Sequence, residues 1–201
     1  MKVIYGLVVS TCCGFGGGWL FTKLLEKLFK KADRRRLQNK WRIAQVFTGA
    51  GVAIMHGAQD GQKFLSISML GIMLALGSMD TSQVVFPLWL IILCALAMGL
   101  GTAIGGKKII KSVGMDMVKM EPYQGFSAST TTFSCLVLAT FTGLPVSTTH
   151  TATTAIMGVG ASRRIRAVRW SMAGNMVLTW VLTFPGCGLI GFVLAKLFLL
   201  F

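Results

Sequence analysis

Charge is scarce in this chain and negative charge is scarcest: Asp and Glu together number 6 against 20 Lys and Arg, and charged residues make up 13% of the total. A soluble domain needs a charged surface, and apolar runs of about twenty residues leave no room for one, which excludes an ordinary water-soluble fold. There are only two histidines, His56 and His150. His56 and Asp60 stand four residues apart, but one such pair with no third ligand at a recognised spacing makes no metal site. The five cysteines, Cys12, Cys13, Cys94, Cys135 and Cys187, lack the spacing of a metal site or a secreted disulfide framework and read as small buried thiols. No small-residue cleavage site follows the first apolar run, so it reads as a membrane helix rather than a signal peptide.

What is present is a 54% hydrophobic composition laid out in long runs, which predicts an all-α integral membrane protein. The net charge is +14, and 16 of the 20 basic residues fall into three clusters. Lys23, Lys27, Lys30, Lys31, Arg34, Arg35, Arg36, Lys40 and Arg42 form the first, Lys107, Lys108 and Lys111 the second, and Arg163, Arg164, Arg166 and Arg169 the third. Each flanks an apolar run, as cytoplasmic loops do, so the basic residues are expected to meet lipid headgroups rather than nucleic acid.

The runs predict about four transmembrane segments, some broken, and one re-entrant helical hairpin in a single membrane domain over 1–201. A helix over 3–22, with Gly14, Gly16, Gly17 and Gly18 open to close contact, leads into a basic cytoplasmic loop over 23–42. A segment over 43–77 is too long for one crossing and is expected to break at "HGAQDGQK", 56–63. After an exterior connection containing Asp80 come a helix over 84–104 and an interfacial helix over 107–121. The hairpin, 123–161, turns at "GLPVS" with basic residues near both ends, and a helix over 170–201, kinked at Pro185, closes the chain.

Two polar interruptions carry the chemistry. Ser147, Thr148 and Thr149 open the second arm of the hairpin, where unpaired N–H groups and a positive helix end can cradle an anion; Ser147 alone would equally serve as an ordinary helix cap. His150 beside them reads as a proton-sensitive gate or as a hydrogen-bonded interior histidine. Asp60, deep in an apolar segment, needs a partner or a wet cavity: Lys63 is one candidate, and a coupling cation or proton, bound with the Gln59 carbonyl and unwound backbone carbonyls, is the other. "GTAIGGKK" fails as a phosphate loop because Lys108 stands where a hydroxyl is required. "STTT", Ser129 to Thr132, lines a cavity or bonds back to its own helix.

Together these residues resemble the inorganic phosphate transporters of the PiT type. "MHGAQDGQK" (55–63) is similar to that family's "HGANDGQK" motif, "EPYQGFSA" (121–128) to the lead into its hairpin, "GLPVSTTHT" (143–151) to its hairpin tip, and "VRWSMAGNMVLTWVLTFP" (168–185) to its closing helix. The likeness covers the whole chain but only the second half of the family pattern, so the chain corresponds to one half of an inverted-repeat transporter: a fragment, a split subunit or a relic. The resemblance implies a secondary transporter of the inner or plasma membrane that moves inorganic phosphate by alternating access. Coupling would be to Na+ or H+, with no other cofactor and no enzymatic role. Ser147, Thr148, Thr149 and Gln62 would bind phosphate, Asp60 and Gln59 would serve the coupling ion, and His150 and His56 are gate candidates. A second transporter half, or further copies of the chain, would complete it; the alternatives are a non-transporting half-subunit and a permease for another tetrahedral oxyanion such as sulfate. Surplus acceptors such as Asp60 would favour phosphate, which can donate a proton where the sulfate dianion cannot. Two positions depart from the pattern: Gln59 replaces the family's asparagine, and Ser129 stands where many members carry glutamate.

Overall fold

The computed structural model describes residues 2–31, 34–75, 77 and 86–198. Six α-helices follow one another: α1 (Lys2–Leu28), α2 (Arg34–Ala75), α3 (Leu88–Ile109), α4 (Pro122–Thr142), α5 (Thr148–Arg163) and α6 (Trp170–Phe198). There is no strand among the described residues. Three stretches are long and apolar enough to cross a membrane: Tyr5–Leu28, Leu88–Asp116 and Trp170–Phe198. Large apolar side chains face outward along them, while hydroxyls are buried where α1, α4 and α5 meet, Thr22, Ser127 and Thr151 having no exposure at all. That inversion suits a hydrocarbon surrounding, in which buried hydroxyls bond back to helix carbonyls. Thr22 does so to Gly18 O at 2.7 Å, Thr154 to His150 O at 2.8 Å, and Thr132 of the "STTT" run to Ala128 O at 2.8 Å.

Several boundaries differ from those read off the sequence. The stretch 23–42 is mainly helix rather than loop, with α1 running on to Leu28 and α2 starting at Arg34. It contains no Gly or Pro and is rich in Lys, Arg, Leu, Gln and Glu, all good helix formers. The expected break at 56–63 is absent: α2 is continuous for 42 residues, about 63 Å at 1.5 Å per residue. Gly57 and Gly61 cost the helix only about 1 kcal/mol each, and Asp60 is bridged along the helix to His56 and Lys63. The polar motif instead keeps α2 off the set of apolar spans.

No separate interfacial helix forms over 107–121. α3 continues as a π-helical stretch, Ile110–Asp116, and Met117 and Val118 then plunge into a core with Val168 beneath the base of α4 and α5. Cys12, Cys13 and Cys187 are exposed rather than buried, because lipid-facing helix surfaces accept small apolar groups. Asp80 and residues 84–85 lie outside the described residues. α6 runs through Pro185 as helix, and only Ala173 in it is buried.

The interior is built on α1, α4 and α5. α1 and α5 touch backbone to backbone, so that a Cβ on Gly18 would strike Ala155 O and one on Gly158 would strike Phe15 O. Gly14 meets Thr154 and Thr151 in the same way, whereas Gly16 faces open space. α4 packs in turn on α2 and α5, and Thr22 of α1 meets Ser127 of α4 at 2.8 Å.

Candidate functional site

α4 and α5 form a helical hairpin whose turn follows from its residues. Gly143 adopts φ 64°, a left-handed conformation that costs glycine nothing, and it ends α4. Leu144 N–H reaches back to Ala139 O at 3.0 Å, while Leu144 itself packs beside Leu136, Ala139 and Val146. Pro145 then presses its carbonyl on Gly6 of α1, which fixes the tip against that helix. Ser147 caps α5, its Oγ accepting from His150 N at 3.4 Å. One cap satisfies one donor, so the N–H groups of Thr148 and Thr149 remain without an intrahelical acceptor. At the opposite end, Arg163 of α5 pairs with Glu121, the cap of α4, at 2.8 Å.

The tip meets the polar motif of α2. Thr148 donates its hydroxyl to Asp60 Oδ2 at 3.1 Å. Lys63 Nζ lies 2.8 Å from Asp60 Oδ1 and donates to Val146 O at 3.3 Å, and His56 Nε2 lies 3.3 Å from Asp60 Oδ2. Asp60 therefore has the partner its position demanded, and it is an occupied acceptor rather than a surplus one. Gln59 crosses to α4, its amide N–H₂ reaching Leu136 O at 3.0 Å and Thr140 Oγ1 at 2.9 Å. Since Leu136 O can only accept, the amide orientation is fixed and the Gln59 carbonyl faces away from that bond.

Two cavities flank this seam, and Lys63, Pro145 and Val146 line both. One, of about 680 Å³, lies between the tip and α6 and is lined by Ser147, Thr149 and His150 with Thr179, Trp180 and Thr183. The other, of about 470 Å³, takes in Gln59, Gln62 and Thr140. The four residues assigned to an anion thus do not share one chamber. Ser147 and Thr149 open into the first, Thr148 is buried with its proton committed to Asp60, and Gln62 lines the second. His150 is 8% exposed and stacks on Trp180, ring centroids 3.8 Å apart, and its Nδ1 has no hydrogen-bond partner among the described residues. His56 sits at Asp60, remote in chain position from His150. Among the described residues no three His, Cys, Asp or Glu side chains gather as a metal site would need.

Two contributions escape a reading of the sequence. Lys63 looks there like a neutralising neighbour and no more, yet its ammonium joins α2 to the tip and borders both cavities. The α6 wall, Thr179, Trp180 and Thr183, looks like generic membrane helix. Its available signal is the pair of hydroxyls at i, i+4, which marks one polar stripe on an apolar helix.

A family model described as the phosphate transporter family matches residues 29–191. A probable low-affinity inorganic phosphate transporter of Bacillus subtilis (strain 168) is 39% identical over 185 residues, 92% of this chain and 55% of that protein. Its counterpart in Rhizobium meliloti (strain 1021) is 37% identical over 190 residues, 94% of this chain and 56% of that one. A solved structure of a sodium-dependent phosphate transporter matches with a TM-score of 0.66 and 27% identity, over 81% of this chain and 41% of its own. The chain spans about half the length of these relatives, and it is an integral membrane protein belonging to the phosphate transporter family.

Proposed function

We propose that this chain supplies one half of a secondary transporter for inorganic phosphate in the inner or plasma membrane, working by alternating access with a second half or further copies of itself. The observation that carries the reading is the Thr148–Asp60 contact, which joins a helix start with unpaired N–H groups to the motif carboxylate of α2. Phosphate would be received in the cavity beside the tip, by the Ser147 and Thr149 hydroxyls, the N–H groups of Thr148 and Thr149, and Lys63. Gln62 would act from the other side of the seam.

Coupling has a simple electrostatic route. A sodium ion or proton arriving at Asp60, with the Gln59 carbonyl as a further ligand for the metal ion, competes with the Lys63 ammonium for the carboxylate. Lys63, displaced, then carries its charge to the anion, so each ion favours binding of the other. The sodium dependence of the structural relative supports the cation half of this scheme. His150, stacked on Trp180, would gate the α6 side, and His56 would tune Asp60.

The basic clusters would lie in the cytoplasm, with the hairpin entering and leaving on that face. The Glu121–Arg163 pair supports the latter by holding the two hairpin ends together, and α5, 16 residues and about 24 Å long, falls short of a hydrocarbon core of about 30 Å.

The test is uptake of labelled phosphate into proteoliposomes, with and without sodium or pH gradients, using the chain together with any second half it requires. Gradient-driven uptake is expected, and Asp60→Asn should abolish its dependence on the gradient. Absence of uptake from folded, correctly oriented protein would remove the reading; labelled sulfate carried equally well would reassign the anion. A non-transporting subunit is favoured by one observation, the scant burial of α6, and predicts assembly without uptake.

A further inference from the structure

A third cavity, of about 690 Å³, lies away from the seam, where the end of α1, the start of α2 and the base of the hairpin converge. Its walls combine apolar and charged groups in separate zones. Phe29 stands edge-on to Trp41 with ring centroids 5.0 Å apart, and Trp41 packs on Phe126 at 5.3 Å, giving one aromatic side. The charged side holds Lys23, Lys27, Lys30 and Arg163 against two carboxylates, Glu26 and Glu121.

Both carboxylates are already engaged. Glu26 lies 3.4 Å from Lys23 and accepts the Tyr123 hydroxyl at 3.1 Å, and Glu121 pairs with Arg163. Among the described residues Lys27 and Lys30 have no acidic neighbour within ion-pair distance. Lys27 also lies in the last turn of α1, where a cation complements the helix dipole, but that role needs only one lysine and no cavity. A chamber with an aromatic side and two ammonium groups that have no acidic partner among the described residues has the polarity of an anionic phospholipid.

We propose that this cavity is a binding site for an anionic phospholipid, its phosphodiester headgroup held by Lys27 and Lys30 and its glycerol and upper acyl segment against Phe29 and Trp41. The lipid would bridge the α1–α2 end to the clasped base of the hairpin. This assignment rests on the membrane location of the chain and stands apart from what the chain transports.

Native mass spectrometry of the intact detergent-solubilised chain tests it, titrating phosphatidylglycerol, phosphatidylcholine of the same acyl chains, and inorganic phosphate. Phosphatidylglycerol should be retained about thirtyfold more tightly than phosphatidylcholine, the scale of two lysines facing an anionic lipid. Lys27→Gln/Lys30→Gln should erase that preference, Lys27→Arg/Lys30→Arg should keep it, and Lys107→Gln/Lys108→Gln, at a different basic cluster, should leave it intact. Equal retention of the two lipids by the unmodified chain overturns the proposal, as does an equal loss in the Lys107/Lys108 variant, which would mean diffuse attraction. Displacement of phosphatidylglycerol by inorganic phosphate at matched concentration also overturns it, assigning the site to a free anion.

Discussion

At the residue scale, the weight falls on one hydroxyl. Thr148 spends its proton on Asp60, and hydrogen bonds to charged groups are worth about 1.5–3 kcal/mol. Thr148→Val removes that bond at nearly constant volume, and phosphate uptake in proteoliposomes should fall about tenfold or more, while Thr148→Ser should retain most of it. Normal uptake by the valine variant would show that the contact is idle. Gln59 offers a second check on geometry. Its amide reaches Leu136 O and Thr140 across to α4, and Gln59→Asn, shorter by one methylene, should lose both bonds. Purified protein would then unfold earlier on heating, by the order of 1 kcal/mol in stability. The hydroxyl cluster and Asp60 are legible in the sequence because polar groups in an apolar run are conspicuous. The bridging by Lys63 is not, since a lysine three residues from an aspartate looks like local neutralisation until the hairpin tip is placed beside it.

At the element scale, spacing foretells helices and the Gly143–Pro145 turn but misjudges where helices stop. Gly57 and Gly61 look like a break, yet an α-helix tolerates them when neighbouring helices hold it, and nothing approaches either glycine within 4 Å. Close contact by the glycines of α1 is visible in their clustering, but only the structure separates those that need it. A leucine at Gly158 must force α5 off Phe15, an overpacking cost of about 1–3 kcal/mol or more, whereas Gly16→Ala meets open space and should be neutral or slightly stabilising. Thermal unfolding in detergent, with folded yield alongside, distinguishes the two; equal behaviour would refute the backbone contact. The π-helical stretch Ile110–Asp116 has no visible signature in the sequence; it leads directly into the buried Met117 and Val118.

At the scale of the whole molecule, the membrane class is legible from composition alone, and the half-length match to relatives accords with the half-pattern seen in the motifs. The proposed orientation makes a direct prediction: cysteines introduced at Arg42 and Arg164 should both react with an impermeant thiol reagent from one side of sealed vesicles, in a background lacking the native cysteines. Labelling from opposite faces would reject the re-entrant hairpin. The cavity by α6 is less legible, because a helix with a single buried residue leaves only the Thr179 and Thr183 hydroxyls as a pattern to read. The direct backbone contact of α5 with α1 restricts how such a protein can move. Two helices meshed at Gly14, Gly18 and Gly158 have no spare room to slide, so they must travel as one body. The hairpin is then no independent flap, and slippage is confined to the side-chain bonds along α2 and the single ring stack on α6, which part and re-form at small cost.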